Sequence, residues 1–140
     1  MIARLKKSNR YEYLEKEVRI NTPGHTTPSG RVGNRNADIL VRDRKTGEII
    51  QVEVKTGGAS RSPTQMSKDA ELATGGGPKG NTTWGTKKAG VFGEAKGAPT
   101  GKIRTVEVTV DPNTGKILRY KYDKIRFAAR VASESAQYFW

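Results

Sequence analysis

The chain has 140 residues and a formal charge of +12, from 26 Lys and Arg against 14 Asp and Glu, with no cysteine and one histidine. That length makes a single domain with a modest core, and the missing cysteines exclude disulfides, thiolate zinc sites and cysteine nucleophiles. The lone His25 excludes histidine-pair metal motifs, while basic residues spread along the whole chain predict attraction to a polyanion, most simply nucleic acid.

Residues 1–20 read as a charged helix that hands over to a short extended segment. Tyr11, Leu14 and Val18 recur at helical spacing, with Glu12, Glu15 and Glu17 around that face. Residues 21–36 are polar and rich in breakers (Pro23, Gly24, Pro28, Gly30, Gly33), which predicts a long flexible connection. Arg31 and Arg35 close it, placed either to bind phosphate or to solvate the surface. His25 is a candidate substrate contact or general base, although a single loop histidine is more often neither.

The stretch from Asp38 to Lys55 predicts a β-hairpin. Ile39 and Val41 alternate with polar residues, Arg44-Lys45-Thr46-Gly47 form the turn, and Ile50, Val52 and Val54 alternate on the return. With that four-residue loop, Arg42 faces Ile49, Val41 faces Ile50, and Asp38 lies across from Glu53. The five apolar residues then share one face, and Asp38, Leu40, Gln51, Glu53 and Lys55 share the other. Opposed side chains on one face sit roughly 5 Å apart. Two carboxylates that close repel unless a cation lies between them, and hard oxygen ligands suit Mg²⁺ or Mn²⁺. Lys55 would orient a water or hold a phosphate. The competing reading is a polar strand facing solvent, or a cross-strand ion network.

Beyond Lys55, Ser62 as N-cap and Pro63 at the first helical position predict a helix to about Thr74. Met66, Ala70 and Ala73 would pack on the sheet with Leu72 alongside, leaving Gln65 and Lys68 near the end from which Lys55 emerges. Residues 75–101 are Gly-dense, with Lys79, Lys87, Lys88, Lys96, Trp84 and Phe92. They read as a flexible basic loop whose ring stacks on a base, or as a loop whose aromatics plug the core. Val106, Val108 and Val110, the turn Asp111-Pro112-Asn113-Thr114-Gly115, and residues 116–122 predict a second hairpin. Glu107 and Asp111 are another carboxylate pair, but Asp111 belongs to the turn. Asp123 would cap a last helix with an apolar stripe from Ile125 to Ala136. No apolar run approaches a signal segment or a membrane span, so no targeting segment and no membrane partner are expected.

Asp38, the turn, and Glu53-Val54-Lys55 resemble the D…(D/E)-x-K signature of the PD-(D/E)XK nuclease superfamily, with Ala37 where a proline is common. The resemblance implies an α/β (α+β) fold, a restriction-endonuclease-like core with a central mixed sheet of about four or five strands flanked by helices. It implies catalytic Asp38, Glu53 and Lys55, with Mg²⁺ or Mn²⁺ held by Asp38 and Glu53. It also implies a glutamate from the preceding helix, carried here to Glu15 with Glu17 as close competitor and Glu12 behind. Gln65 would assist at the site, and Lys68 would contact phosphate. Residues 15–77 further resemble toxin domains of bacterial polymorphic toxins of the contact-dependent inhibition and Rhs types. That implies a nuclease for DNA, with tRNA as the alternative, secreted within a larger carrier and delivered to a target cell's cytoplasm. A cognate immunity protein would neutralise it, and the charge makes that partner acidic. The rival class is a non-catalytic nucleic-acid-binding module. A structural ribosomal-type protein is the third reading.

Overall fold

The computed structural model describes residues 2, 6–85 and 96–122. In chain order it contains β1 (Tyr11–Thr26), β2 (Val32–Asp43), β3 (Ile49–Thr56), α1 (Pro63–Thr74), three two-residue strands, β4 (Gly76–Gly77), β5 (Gly80–Asn81) and β6 (Thr83–Trp84), then β7 (Ile103–Val110) and β8 (Ile117–Tyr122). Six strands form one sheet in the order β6-β1-β2-β3-β7-β8, and β4 and β5 pair separately. Every pairing in the large sheet is antiparallel except β3 with β7, which run parallel and need the crossover that carries α1. The architecture is α+β, with a six-stranded mixed sheet where four or five strands were expected. The expected last helix and Phe92 lie outside the described residues.

The largest departure from the sequence reading is β1. Tyr11, Leu14 and Val18 are all buried, but in a strand and not in a helix. A register shift between Tyr13 and Glu15 inserts an extra residue at Leu14. Such a bulge breaks the period of two, so three buried residues at i, i+3 and i+7 imitate a helical stripe. Tyr11 joins one core cluster while Leu14 and Val18 join the other. The expected loop 21–36 is also largely strand. The turn shrinks to residues 27–31, closed by Thr27 N–H to Arg31 O at 2.8 Å and Gly30 N–H to Thr27 O at 2.9 Å. Pro23 and Gly24 fall inside a second register shift, between Thr22 and Thr26, where the ladder needs no donor from proline.

The central hairpin follows its predicted register over four pairs, but the expected next pair, Asp38 with Glu53, does not form. Arg42↔Ile49, Val41↔Ile50, Leu40↔Gln51 and Ile39↔Val52 are the pairs found. Ile39, Val41, Ile50 and Val52 join Tyr11, Val106, Val108 and Val110 in one cluster, with Val54 half-buried against it. Leu40 alternates to the other side, into a cluster with Leu14, Val18, Ile20, Ala37, Trp84, Ile103 and Leu72 of α1. The Trp84 ring is wholly buried there, so it plugs the core and offers no face for stacking on a base.

The two hairpin turns have the same construction. In Asp43-Arg44-Lys45-Thr46-Gly47-Glu48, Asp43 Oδ1 accepts from Lys45 N–H at 2.8 Å, and Thr46 Oγ1 accepts from Glu48 N–H at 3.2 Å. In Asp111-Pro112-Asn113-Thr114-Gly115-Lys116, Asp111 Oδ1 accepts from Asn113 N–H at 2.7 Å, and Thr114 Oγ1 accepts from Lys116 N–H at 3.2 Å. Gly47 and Gly115 take φ of 76° and 70°, the left-handed conformation that glycine adopts without a Cβ clash. An Asp side chain bonding two residues on is the local device that sets both turns.

Helix α1 starts as its sequence predicts. Ser62 Oγ accepts from Gln65 N–H at 3.1 Å, Gln65 Oε1 accepts from Ser62 N–H at 2.9 Å, and Pro63 follows the cap. Its inward face differs from expectation. Met66 is 46% exposed and Ala70 is exposed, whereas Asp69 and Leu72 are buried. The reason is electrostatic: Asp69 meets Arg35 and Gln51 of the sheet and Arg61 of the segment leading into the helix.

Candidate active site

Asp38 and Glu53 come together because the sheet forks. The β2–β3 ladder ends at Ile39↔Val52. Beyond it β2 stays with β1, through Val18↔Ala37, Arg19↔Asn36 and Ile20↔Arg35, while β3 stays with β7, through Glu53↔Glu107 and Lys55↔Thr109. The next ladder bond is replaced by a side chain, with Asp38 Oδ2 accepting from Val54 N–H at 2.9 Å. In the crotch lies an open pocket of about 290 Å³ lined by Asn34, Arg35, Asn36, Asp38, Glu53, Gln65 and Lys68. Asp38, Glu53, Gln65 and Lys68, named from the sequence, thus share one cavity. Lys55 reaches the same group from two residues along β3, its Nζ 3.2 Å from Glu53 Oε1.

Glu15 is placed differently. It sits on β1 opposite Leu40, its Oε1 accepts from Lys16 N–H at 2.9 Å, and it is not among the residues lining this pocket. The helix from which it was to project is a strand. Its competitor Glu17 lies between the pairs Lys16↔Ile39 and Val18↔Ala37, across from Asp38. Glu17 also lines a neighbouring cavity of about 410 Å³ with Arg19, Asn36, Ala37 and Asp38. Its φ of 53° is left-handed, a strain of about 1–2 kcal/mol for a side-chain-bearing residue. Glu12 faces Arg42, 3.7 Å away, in a half-exposed ion pair. His25 belongs to neither cavity: Nδ1 meets Glu71 Oε1 and Nε2 meets Ser67 Oγ, each at 2.9 Å, so the ring fastens β1 to α1.

Beneath the pocket runs a buried ionic network that the sequence reading missed. Asp69, fully buried, accepts from Arg35 Nε at 2.8 Å, Arg61 Nη1 at 2.8 Å and Gln51 Nε2 at 2.6 Å. Arg61 Nε continues to Glu107 Oε2 at 2.9 Å. Arg35 Nη2 approaches Glu53 Oε2 to 3.1 Å but misaligned, so that buried oxygen has no hydrogen-bond donor. A charge on the same helical stripe as Leu72 was the signal available in the sequence, since an inward-facing acid needs an inward-facing base.

The electrostatics follow from this geometry. Burial pushes the Glu53 carboxyl up; Arg35 pulls against it, the Asp38 charge adds to the push, Lys55 pulls down, and the net shift is upward. Burial disfavours the Arg35 charge, yet the bond to Asp69 and the charges of Asp69, Glu53 and Asp38 hold its guanidinium above its usual range.

A hard divalent cation suits this donor set. Glu53 presents a buried oxygen without a donor, beside a second carboxylate that raises its proton affinity, and a cation would relieve both. Among the described residues no three Asp, Glu, His or Cys side chains gather as a metal site. A cation here would have Asp38, Glu53 and waters as its ligands, a set of the kind Mg²⁺ takes. Gln65 Oε1 is occupied by the helix cap, which leaves its amide nitrogen, a donor, for a ligand. Among the described residues no helix is long and apolar enough to cross a membrane. No protein-family model matches the chain, and no curated protein matches it in sequence.

Proposed function

We propose that this chain is a metal-dependent nuclease of the PD-(D/E)XK kind, with a restriction-endonuclease-like core, hydrolysing phosphodiester bonds of DNA or, as the alternative, of tRNA. The observation that carries the reading is the fork, which brings Asp38 and Glu53 into one cavity, with Lys55 on Glu53 and Lys68 at the rim. A sheet that is mixed and has a helix against it agrees with the core the resemblance implies.

Asp38 and Glu53 would hold Mg²⁺ or Mn²⁺. Such a cation lowers the pKa of a bound water and draws charge from a phosphate. Lys55, its Nζ 3.2 Å from Glu53 Oε1, would orient a water by donating to it and offset negative charge as it builds on phosphate oxygens. The Gln65 amide N–H and the Lys68 ammonium are donors on the α1 side of the cavity, suited to non-bridging phosphate oxygens. Across Asp38, Arg19 lines the neighbouring cavity, so a strand of phosphates meets positive charge on both sides. Charge of +12, with no aromatic side chain among the described residues lining the cavity, predicts weak sequence preference and strong salt dependence.

In the biological setting this reading proposes, the chain is a toxin domain carried in a larger secreted protein to the cytoplasm of a competitor cell. An acidic immunity protein would cover its basic surface. One observation favours a second reading, a non-catalytic nucleic-acid-binding module: Glu53 already stands between Lys55 and Arg35, as in a self-contained ion network. Incubating the protein with plasmid DNA and with total tRNA, in Mg²⁺ or in EDTA, separates the two. Metal-dependent cutting that Asp38→Ala abolishes supports the nuclease. Salt-sensitive binding without cutting, indifferent to metal, supports the module.

A further inference from the structure

The Asp69 network has two arms of similar chemistry. Each runs from Asp69 through a buried arginine to a buried glutamate on neighbouring strands, and Glu53 and Glu107 are paired residues of β3 and β7. The arms end differently. Arg61 Nε makes an aligned 2.9 Å bond to Glu107 Oε2. Arg35 gives its aligned bonds elsewhere, with Nε at 2.8 Å and Nη2 at 3.3 Å to Asp69 and Nη1 at 3.3 Å to Asn36 O. Its 3.1 Å approach to Glu53 Oε2 leaves that oxygen without a hydrogen bond.

We infer that Asp69 is a positioning residue that holds Arg35 out of hydrogen-bonding alignment with Glu53, leaving only a 3.1 Å ion-pair approach, and so keeps Glu53 Oε2 without a donor and available to a divalent cation. This rests on the reading of Asp38 and Glu53 as a cation site. A guanidinium fork binds carboxylates through two parallel bonds when it is free to turn. Facing only Glu53, Arg35 would close on it, and a fixed cation would stand where the mobile one is needed. With Asp69 on its other side, 0% exposed and also gripped by Arg61 and Gln51, the fork is held in the orientation that serves Asp69. Helix α1 thereby sets the state of a carboxylate on β3 that it does not itself carry.

The test is calorimetric titration of Mn²⁺ into the whole chain and its variants, with circular dichroism to confirm that each is folded. Residues that orient metal ligands typically change metal affinity 10–100-fold when replaced. Asp69→Asn is expected to weaken Mn²⁺ binding at least roughly tenfold, and Asp69→Asn combined with Arg35→Gln to restore it. Arg35→Gln alone is expected to bind Mn²⁺ at least as tightly as the parent, which tests the idea even where Asp69→Asn does not fold. Glu107→Gln cuts the other arm and should leave Mn²⁺ binding unchanged. Unchanged binding in folded Asp69→Asn, or weaker binding in Arg35→Gln, would overturn the inference while leaving the nuclease reading in place. Parent protein that binds no Mn²⁺, or binding that Asp38→Asn does not weaken, would overturn both.

Discussion

The two hairpins of this protein begin alike and end differently. Each turns on an Asp-x-x-Thr-Gly segment with matching bonds, and each alternates apolar and polar residues. The β7–β8 ladder runs from Val110↔Ile117 to Val106↔Tyr122, well along both strands. The β2–β3 ladder stops after four pairs, because β2 is drawn along β1 and β3 along β7. Glu53 and Glu107 are neighbours in register and nearly equally buried, yet only Glu53 lines the cavity. A carboxylate on an inward face is therefore not enough to make a site. The sheet must also part in front of it.

The comparison can be broken most forcefully at Lys55. Lys55→Ala leaves the fork intact but removes the cation on Glu53, and cleavage should fall by roughly 10²–10⁴-fold, as for loss of a positioned proton donor, measured as initial rates in Mg²⁺. The core that supports both hairpins is tested by Trp84→Ala, which empties the side of the sheet under α1. It should cost about 3–5 kcal/mol in urea unfolding. The shared turn offers a symmetric pair: Gly47→Ala and Gly115→Ala should each cost about 1–2 kcal/mol, the penalty for a side chain in left-handed backbone. Unequal losses would show that one hairpin depends on its turn more than the other.

pH separates two carboxylates by sign. Arg10 bonds both oxygens of Asp43, and although burial opposes it, the Arg10, Lys45 and Thr46 contacts hold that carboxyl below its usual 3.8. Asp43 therefore contributes stability above pH 3.8 that is lost as pH falls through its lower folded value, and Asp43→Asn should flatten the acid end of the stability curve. Glu53 is shifted the opposite way. Its raised carboxyl favours the protonated fold, so stability is lost as pH rises from 4.5 through its higher folded value. Glu53→Gln should melt no lower than the parent at pH 8, and parent cleavage should rise with pH through a value above 4.5.

Much of the hairpin was legible in the sequence because its signals are local. The alternation, the Asp-x-x-Thr-Gly turn and the helix cap at Ser62 each involve residues a few positions apart, and parity placed Asp38, Glu53 and Lys55 on one face. What stayed hidden depends on partners distant in the chain. The bulge at Leu14 turned a strand's burial pattern into a helix's, and nothing local announces a bulge. The fork is visible only once β1 and β7 are known to flank the hairpin. Asp69 and Arg61 drew no reading and Arg35 was read as a phosphate contact or surface charge, since what buries both arginines is Asp69 between them and a glutamate beside each. Gln65 was legible as a cavity residue, while its part in the helix cap with Ser62 emerged only from the structure.

The central claim is that the fork, and not the inward carboxylate alone, makes a phosphodiester-cleaving site. Its most direct test compares Glu53→Gln with Glu107→Gln, both folded, for cleavage of plasmid DNA and of tRNA in Mg²⁺. The account predicts that Glu53→Gln is inactive on whichever substrate the parent cuts, while Glu107→Gln cuts within a few-fold of the parent. Equal activity in the two variants, whether both active or both dead, would contradict it.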